Sequence, residues 1–137
     1  MPFKFEKLEV WQLSLEYVDL VYQITERLPK HEQYNLVSQF RRAATSVTLN
    51  IAEGSTSQSD PEQARFLSMA LRSLLETVAC QHLISRRNYL TDKDELRQAY
   101  RQAEILVAKL HRMRQVLLSN EKHVRENSPI YQLTDDE

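Results

Sequence analysis

Residues 96–117 read Leu96-Arg97-Gln98-Ala99-Tyr100-Arg101-Gln102-Ala103-Glu104-Ile105-Leu106-Val107-Ala108-Lys109-Leu110-His111-Arg112-Met113-Arg114-Gln115-Val116-Leu117. Within them Leu96, Ala99, Ala103, Leu106, Leu110, Met113 and Leu117 recur in alternating steps of three and four. Three heptads of this rhythm draw one apolar seam along a helix, the seam of a bundle or coiled coil. Thr91-Asp92-Lys93-Asp94 offers the cap that starts this helix, and its pattern fades after Asn120. A seam of this kind is buried only against other helices, so the rest of the chain must supply them.

All four prolines, Pro2, Pro29, Pro61 and Pro129, stand at punctuation points and leave long proline-free stretches. The first stretch carries two neighbouring apolar stripes: Leu8, Trp11, Leu15, Val18 and Tyr22, and beside them Val10, Tyr17, Val21, Ile24 and Leu28. Leu13 and Leu20 point away from both, which is expected either of a helix covered by a partner subunit or of scattered exposed leucines. Pro29 predicts a stop near Leu28 and a short connection through His31. The second helix is expected from near Glu32, with Val37, Phe40, Ala44, Val47 and Ile51 as core stripe, flanked by Leu36 and Ala43. The sole glycine, Gly54, suits a left-handed C-terminal cap there.

After a polar linker over residues 55–59, Asp60-Pro61-Glu62-Gln63 combines an N-cap acid, a first-turn proline and a capping-box glutamine. The third helix then carries Ala64, Leu67, Leu71, Leu74 and Val78 on one seam, beside Leu75 and Ala79, to about Arg87. The chain turns at Asn88-Tyr89-Leu90. Four helices of roughly 20 to 28 residues, each about 30 to 40 Å long, joined by short loops, predict an all-α, up-down-up-down antiparallel four-helix bundle. Residues 1–121 are expected to form this domain, and 122–137, ending in Asp135-Asp136-Glu137, a mobile acidic tail.

Composition removes several function classes. One glycine in 137 residues leaves no raw material for a P-loop or Rossmann phosphate cradle. Lone Cys80 forms no internal disulfide and no zinc-binding cysteine set; a buried structural thiol in a reducing cytoplasm is expected. No run approaches the ~18 apolar residues of a membrane span, so the expectation is a soluble, unexported, cytoplasmic chain. Eighteen basic and nineteen acidic residues nearly cancel, unlike a polyanion-coating protein.

Catalytic and metal constellations are equally thin. The Glu-x-x-His pair of bundle di-metal sites is absent; Glu104 with His111 and Glu76 with His82 are spaced too far to chelate within one turn. His82 and His111 are expected to be partly buried or interfacial, with His31 and His123 in loop or tail. No metal, no cofactor and no catalytic residue are therefore expected, and no enzyme.

Two polar features remain. Gln39, Arg42, Ser46, Asn50 and Glu53 form a stripe away from the Phe40 seam. It is read either as a satisfied polar network or as a binding face on which Arg41 and Arg42 meet phosphate or carboxylate. Between residues 97 and 114, Arg97, Arg101, Lys109, Arg112 and Arg114 face the single acid Glu104, and without the three terminal acids the formal charge of −1 becomes +2. Arg97, Arg101 and Arg112 lie on nearly one side of the helix, either as a solvated basic face or as an anion-attracting patch assembled in an oligomer.

Residues 29–54 also carry a pattern, Pro29-x-x-Glu32-x-Tyr34-x-Leu36-x-x-Gln39-x-Arg41-Arg42-Ala43-x-x-Ser46-x-x-x-Asn50-Ile51-Ala52-Glu53-Gly54. With Phe5-x-x-Leu8-x-Val10-Trp11-Gln12 and Phe66-Leu67-x-x-Ala70-x-x-Ser73-x-x-Glu76-Thr77, it resembles the 23S rRNA intervening-sequence proteins, a four-helix bundle family, over about residues 3–118. Arg72 stands where that family's pattern has a glycine. Relatives include the accessory variability determinant protein of diversity-generating retroelements. The resemblance implies a homo-oligomer, a pentamer by that relative, acting as a binding or scaffold module for RNA, DNA or a nucleic-acid enzyme. Arg41, Arg42, Arg97, Arg101 and Arg112 are the candidate contacts. The alternative is a protein-interaction scaffold without a nucleic-acid role, in which the same arginines bind carboxylates across subunit interfaces.

Overall fold

The computed structural model describes residues 3–126, with side chains to residue 120. A short 3-10 turn, Lys4–Lys7, leads into α1 (Glu9–Thr25); α2 spans Ser38–Ser55, α3 Asp60–Arg86 and α4 Asp94–Glu126. The described residues contain no strand, so the chain is all-α.

Side-chain contacts fix how the helices run. Between α1 and α2, Thr48 donates to Ser14 at 3.1 Å and Arg41 to Thr25 at 2.8 Å, so the numbers rise on one helix as they fall on the other. The same opposition holds for α1 and α4, through Arg27 with Glu95 and Glu9 with Lys109. It holds for α3 and α4, through Ser68 with Arg114 and His82 with Tyr100. Ser46 with Ser73 and Gly54 beside Phe66 set the same relation for α2 and α3. Each helix is antiparallel to both of its neighbours, and α1 packs on α4 to close the bundle.

The core follows the seams. Leu96, Ala99, Ala103, Leu106 and Leu110 are buried, with Met113 and Leu117 packed against them as the seam leaves the bundle. On α2 the buried set includes Val37, Phe40, Ala44, Val47 and Ile51. On α1 only one of the two stripes is core: Val10, Tyr17, Val21, Ile24 and Leu28 are buried, whereas Leu15 and Tyr22 of the other are exposed. Leu20 is buried and Leu13 packs against the core, so neither a partner subunit nor solvent is needed to account for them. Both lie beside the Val10–Tyr17–Ile24 line, where a helix enclosed on two sides by α2 and α4 keeps a wide face covered.

The core also holds a polar chain. The Gln81 amide donates to the Tyr17 hydroxyl at 2.7 Å, Tyr17 lies 2.8 Å from Thr77 Oγ1, and Thr77 donates to the Leu74 carbonyl. Every member is satisfied, which makes this α1–α3 link a specific clamp rather than a penalty. Burial pushes the Tyr17 hydroxyl up to about 12, against the opposing pull of those hydrogen bonds.

Several boundaries differ from the sequence reading, each for a local reason. α1 ends at Thr25, and the path to Leu28 tightens into i to i+3 bonds from Arg27 and Leu28. Before α2, a 3-10 turn (Lys30–Glu32) and a π turn (Gln33–Val37) stand where a regular helix start is expected. Glu32 organises this corner. Its carboxylate accepts from Tyr89 at 2.6 Å and from Asn35 at 3.0 Å, which hold it below the usual carboxylate range. Gly54 is not a left-handed cap, since no glycine has positive φ; it sits inside α2, and a Cβ there would lie 2.9 Å from Phe66 Cβ. Among the described residues positive φ occurs at Asn88, at 55°, after α3. Ser59 rather than Asp60 caps α3, accepting from the Glu62 amide at 3.3 Å. α4 continues to Glu126, so the boundary expected after residue 121 falls within that helix, and 127–137 lie outside the described residues.

Candidate functional site

The N-terminal half of α2 presents Arg41 and Arg42 in divergent directions, because consecutive helical residues are turned by about 100°. Arg41 leans toward α1. Its Nε donates to Thr25 Oγ1 at 2.8 Å and its guanidinium lies 4.3 Å from the Tyr22 ring centroid. Thr25 in turn donates to the Tyr22 carbonyl at 3.1 Å, so the arginine is held by a group that is itself held. A guanidinium stacked on a ring and tied through Nε keeps its terminal N–H groups in a fixed fork. Arg42 is exposed and makes no hydrogen bond or ion pair among the described residues.

These arginines line a groove of about 440 Å³ with Tyr22, Thr45, Ser46, Leu49, Asn50 and Glu53. Leu49 is 56% exposed, Tyr22 41% and Leu15 39%, the last on the helix turn beside the Ser14–Thr48 bond. The face is therefore a shallow apolar strip with cationic groups at one end and the Glu53 carboxylate at the other. From α1, Tyr22 lines it; Leu15 of the same stripe is also exposed, while Val18 between them packs against the core.

The polar stripe divides along its length. Ser46 lies 2.9 Å from Ser73 Oγ of α3, and Asn50 donates to the Ser46 carbonyl at 2.9 Å and to its hydroxyl at 3.1 Å. These two form the satisfied network. Gln39, Arg42 and Glu53 face solvent and take no part in it among the described residues.

The proposed patch on α4 is not assembled within one chain. Arg97 pairs with Asp94 at 2.8 Å, Arg101 stands exposed, and Arg112 lines a separate groove with Glu9, Val10 and Lys109. Arg97 and Arg112 are about 22 Å apart along the helix. Lys109 is itself paired with Glu9 at 2.6 Å, and Arg114 donates to Ser68 at 2.7 Å. His82 and His111 are exposed rather than buried, with His82 edge-on to Tyr100. His31 sits in the 3-10 turn, 3.2 Å from the Tyr89 hydroxyl. Cys80 is buried, and burial pushes its thiol up, away from the thiolate a nucleophile needs. Among the described residues no group of three metal-ligating side chains comes together. No described helix is long and apolar enough to cross a membrane.

The sequence places Leu15 and Tyr22 in an apolar stripe and Tyr34 in the Pro29–Gly54 pattern, but gives none of them, nor Leu49, a binding role; Tyr34 is 96% exposed at the π turn. The available signal was the second stripe of α1, since a bundle helix with two apolar stripes can bury only part of them.

No curated protein matches the chain. A crystal structure from Bacteroides thetaiotaomicron, described as a protein with unknown function from the S23 ribosomal protein family, is similar in fold. It has a TM-score of 0.56 at 24% identity and covers 80% of this chain and 95% of its own. The family model described as 23S rRNA-intervening sequence protein matches residues 6–112, and these span the first three helices and most of the α4 seam. The chain belongs to the 23S rRNA-intervening sequence protein family.

Proposed function

We propose that this chain is a non-enzymatic, cytoplasmic, homo-oligomeric binding or scaffold module, and that its working surface is the α1/α2 face. The observation that carries this is Arg41, held on Tyr22 and Thr25 in a groove that also exposes Leu49. A tyrosine and an arginine held together beside exposed apolar surface are the residue types enriched at protein-contact centres, where fixed side chains lose little freedom on binding. The resemblance to the accessory variability determinant protein supports five as the expected subunit count.

Phosphate capture is the second reading, favoured by the exposure of Arg42, Arg101 and Arg112. RNA or DNA would then be the partner. Ion pairing of Arg97 and engagement of Arg41 leave fewer free cations for it than the sequence suggested.

The test is the solution mass of the full chain and of Leu49→Asp, together with titration against a structured RNA and a DNA duplex at low and physiological salt. The expected result is an oligomer that Leu49→Asp weakens, with little nucleic-acid binding at physiological salt. A single-chain mass, or tight binding whose salt slope matches several phosphate contacts and which Leu49→Asp leaves intact, overturns the scaffold assignment.

A further inference from the structure

The α1/α2 groove has a polarity that points to an occupant. Arg41 and Arg42 lie at its α2 N-terminal end and Glu53 about 16 Å away at the other, with Leu49 between. Its partner should be apolar in the middle and acidic at one end. This chain contains such a segment, Pro129-Ile130-Tyr131-Gln132-Leu133-Thr134-Asp135-Asp136-Glu137, outside the described residues.

We propose that this segment of one copy docks in the α1/α2 groove of a second copy, Leu133 against Leu49 and Asp135 and Asp136 against Arg41 and Arg42. The proposal rests on the α1/α2 face being the binding surface and names its partner. Spacing supports the match. Leu49 and Arg42 are seven helical residues, about 10 Å, apart. An extended segment points Leu133 and Asp135 to the same side, about 7 Å apart, and the length of the arginine side chain covers the remaining distance.

Reach excludes the chain's own groove. Lys109 of α4 pairs with Glu9, and Arg27 with Glu95, so the Arg41 end of the groove lies at the start of α4. Glu126 stands about 25 Å beyond the Lys109–Glu9 pair, and Tyr22 about 20 Å from that pair in the opposite direction. The total is about 45 Å along the bundle. Nine extended residues from Glu126 to Asp135 span at most about 32 Å. Docking must therefore join different copies, and each copy would offer one groove and one segment. That is a heterologous contact, which closes into a ring or runs open.

The test uses the full chain with a benzoylphenylalanine photocrosslinker at Leu133. One copy carries the probe together with Arg42→Glu and Leu49→Asp, both at exposed positions, so its own groove is spoiled without disturbing the core. It is co-expressed with a tagged, probe-free copy whose groove is intact. The expected result is a crosslink from the probe to the tagged chain on peptides containing Tyr22, Arg42 or Leu49. Spoiling the tagged copy's groove as well should lower the yield about tenfold, the loss of one well-made contact. Asp135→Lys with Asp136→Lys on the probe copy should then restore crosslinking to a tagged copy carrying Arg42→Glu alone. Crosslinks within the probe's own chain, or to other faces of the bundle, overturn the proposal. Solution mass is measured on the same samples. An oligomer with crosslinks elsewhere removes the segment but keeps the binding face, whereas a single-chain mass without crosslinks removes both.

Discussion

Gly54→Ala separates two accounts of the only glycine. As a left-handed cap, alanine would cost about 1 kcal/mol through its Cβ, and asparagine, which tolerates that conformation, would be nearly neutral. The structure places Gly54 in ordinary helical geometry and against α3, with the would-be Cβ at 2.9 Å from Phe66 Cβ and 3.6 Å from the Gln63 carbonyl oxygen. Carbon atoms pack at about 3.5 to 4.0 Å, so α2 and α3 must part by close to 1 Å. Phe66 Cβ is fixed to its backbone and cannot rotate away. Overpacking of this kind costs about 1 to 3 kcal/mol, and better helix propensity of alanine returns about 1. The expected net loss for Gly54→Ala is about 1 kcal/mol, and for the bulkier Gly54→Asn about 2 to 3. Urea denaturation followed by circular dichroism, at one protein concentration, reads both values. In a double-mutant cycle, Phe66→Gly should recover part of the Gly54→Ala loss, since the two sites share one contact. Asparagine proving as stable as glycine, or a cycle with no coupling, refutes the close-approach account.

Tyr17→Phe should lose about 1 to 2 kcal/mol at neutral pH, because the buried Gln81 amide is left without its acceptor. Since burial raises the Tyr17 hydroxyl from 10.0 to about 12, its contribution is complete below pH 10 and declines as pH rises toward 12. Chemical denaturation across that window should show a Tyr17-dependent slope that vanishes in the phenylalanine variant. Tyr89→Phe removes the leading donor to Glu32, whose lowered pKa contributes stability above the usual carboxylate range that is lost as pH falls through it. Acid titration of stability should therefore be shallower in Tyr89→Phe than in the parent; an unchanged slope rejects this role. Ser59→Ala should cost about 1 kcal/mol as a lost N-cap, whereas Asp60→Ala should cost less, a ranking that thermal melts can reverse.

How much was legible depended on whether a residue's neighbours were near in sequence. The α4 seam was readable because a heptad needs only its own helix, and every residue of it packs as the spacing predicts. The two stripes of α1 could not be ranked, because which is core depends on where α2 and α4 stand around it. Gly54 reads as a cap rather than a crossing for the same reason: glycine at a helix end and glycine at a helix crossing look alike until Phe66, twelve residues on, is in place. The π turn at Gln33–Val37 has no one-dimensional signature either. It is held by Tyr89 reaching Glu32 from the other end of α3, across 57 residues of sequence. Within the candidate site, Arg41 and Arg42 were visible as a pair, but their division of labour was not. Only helical geometry and the position of Tyr22 make one a fixed fork and the other a free charge.

That division bears on function, because counting basic residues along α4 overstated the charge available to a polyanion. Arg97 and Lys109 are neutralised by acids on α4 and α1, and Arg114 is tied to α3. Exposed pairs of this kind contribute little to stability, about 0 to 1 kcal/mol each, but they subtract from the field a nucleic acid would feel. The α1/α2 face behaves in the opposite way. Its cations stand at the edge of uncovered apolar surface, where excluding water strengthens a charge-assisted hydrogen bond instead of screening it. A partner that brings carboxylates on an apolar backing gains from both features at once. Phosphates on a hydrated duplex gain from the arginines alone and leave Leu49 wet. On the proposed reading Arg41 and Arg42 therefore favour a protein segment over a nucleic acid, because of the apolar surface beside them, whereas Arg101 and Arg112 on α4 have no such backing.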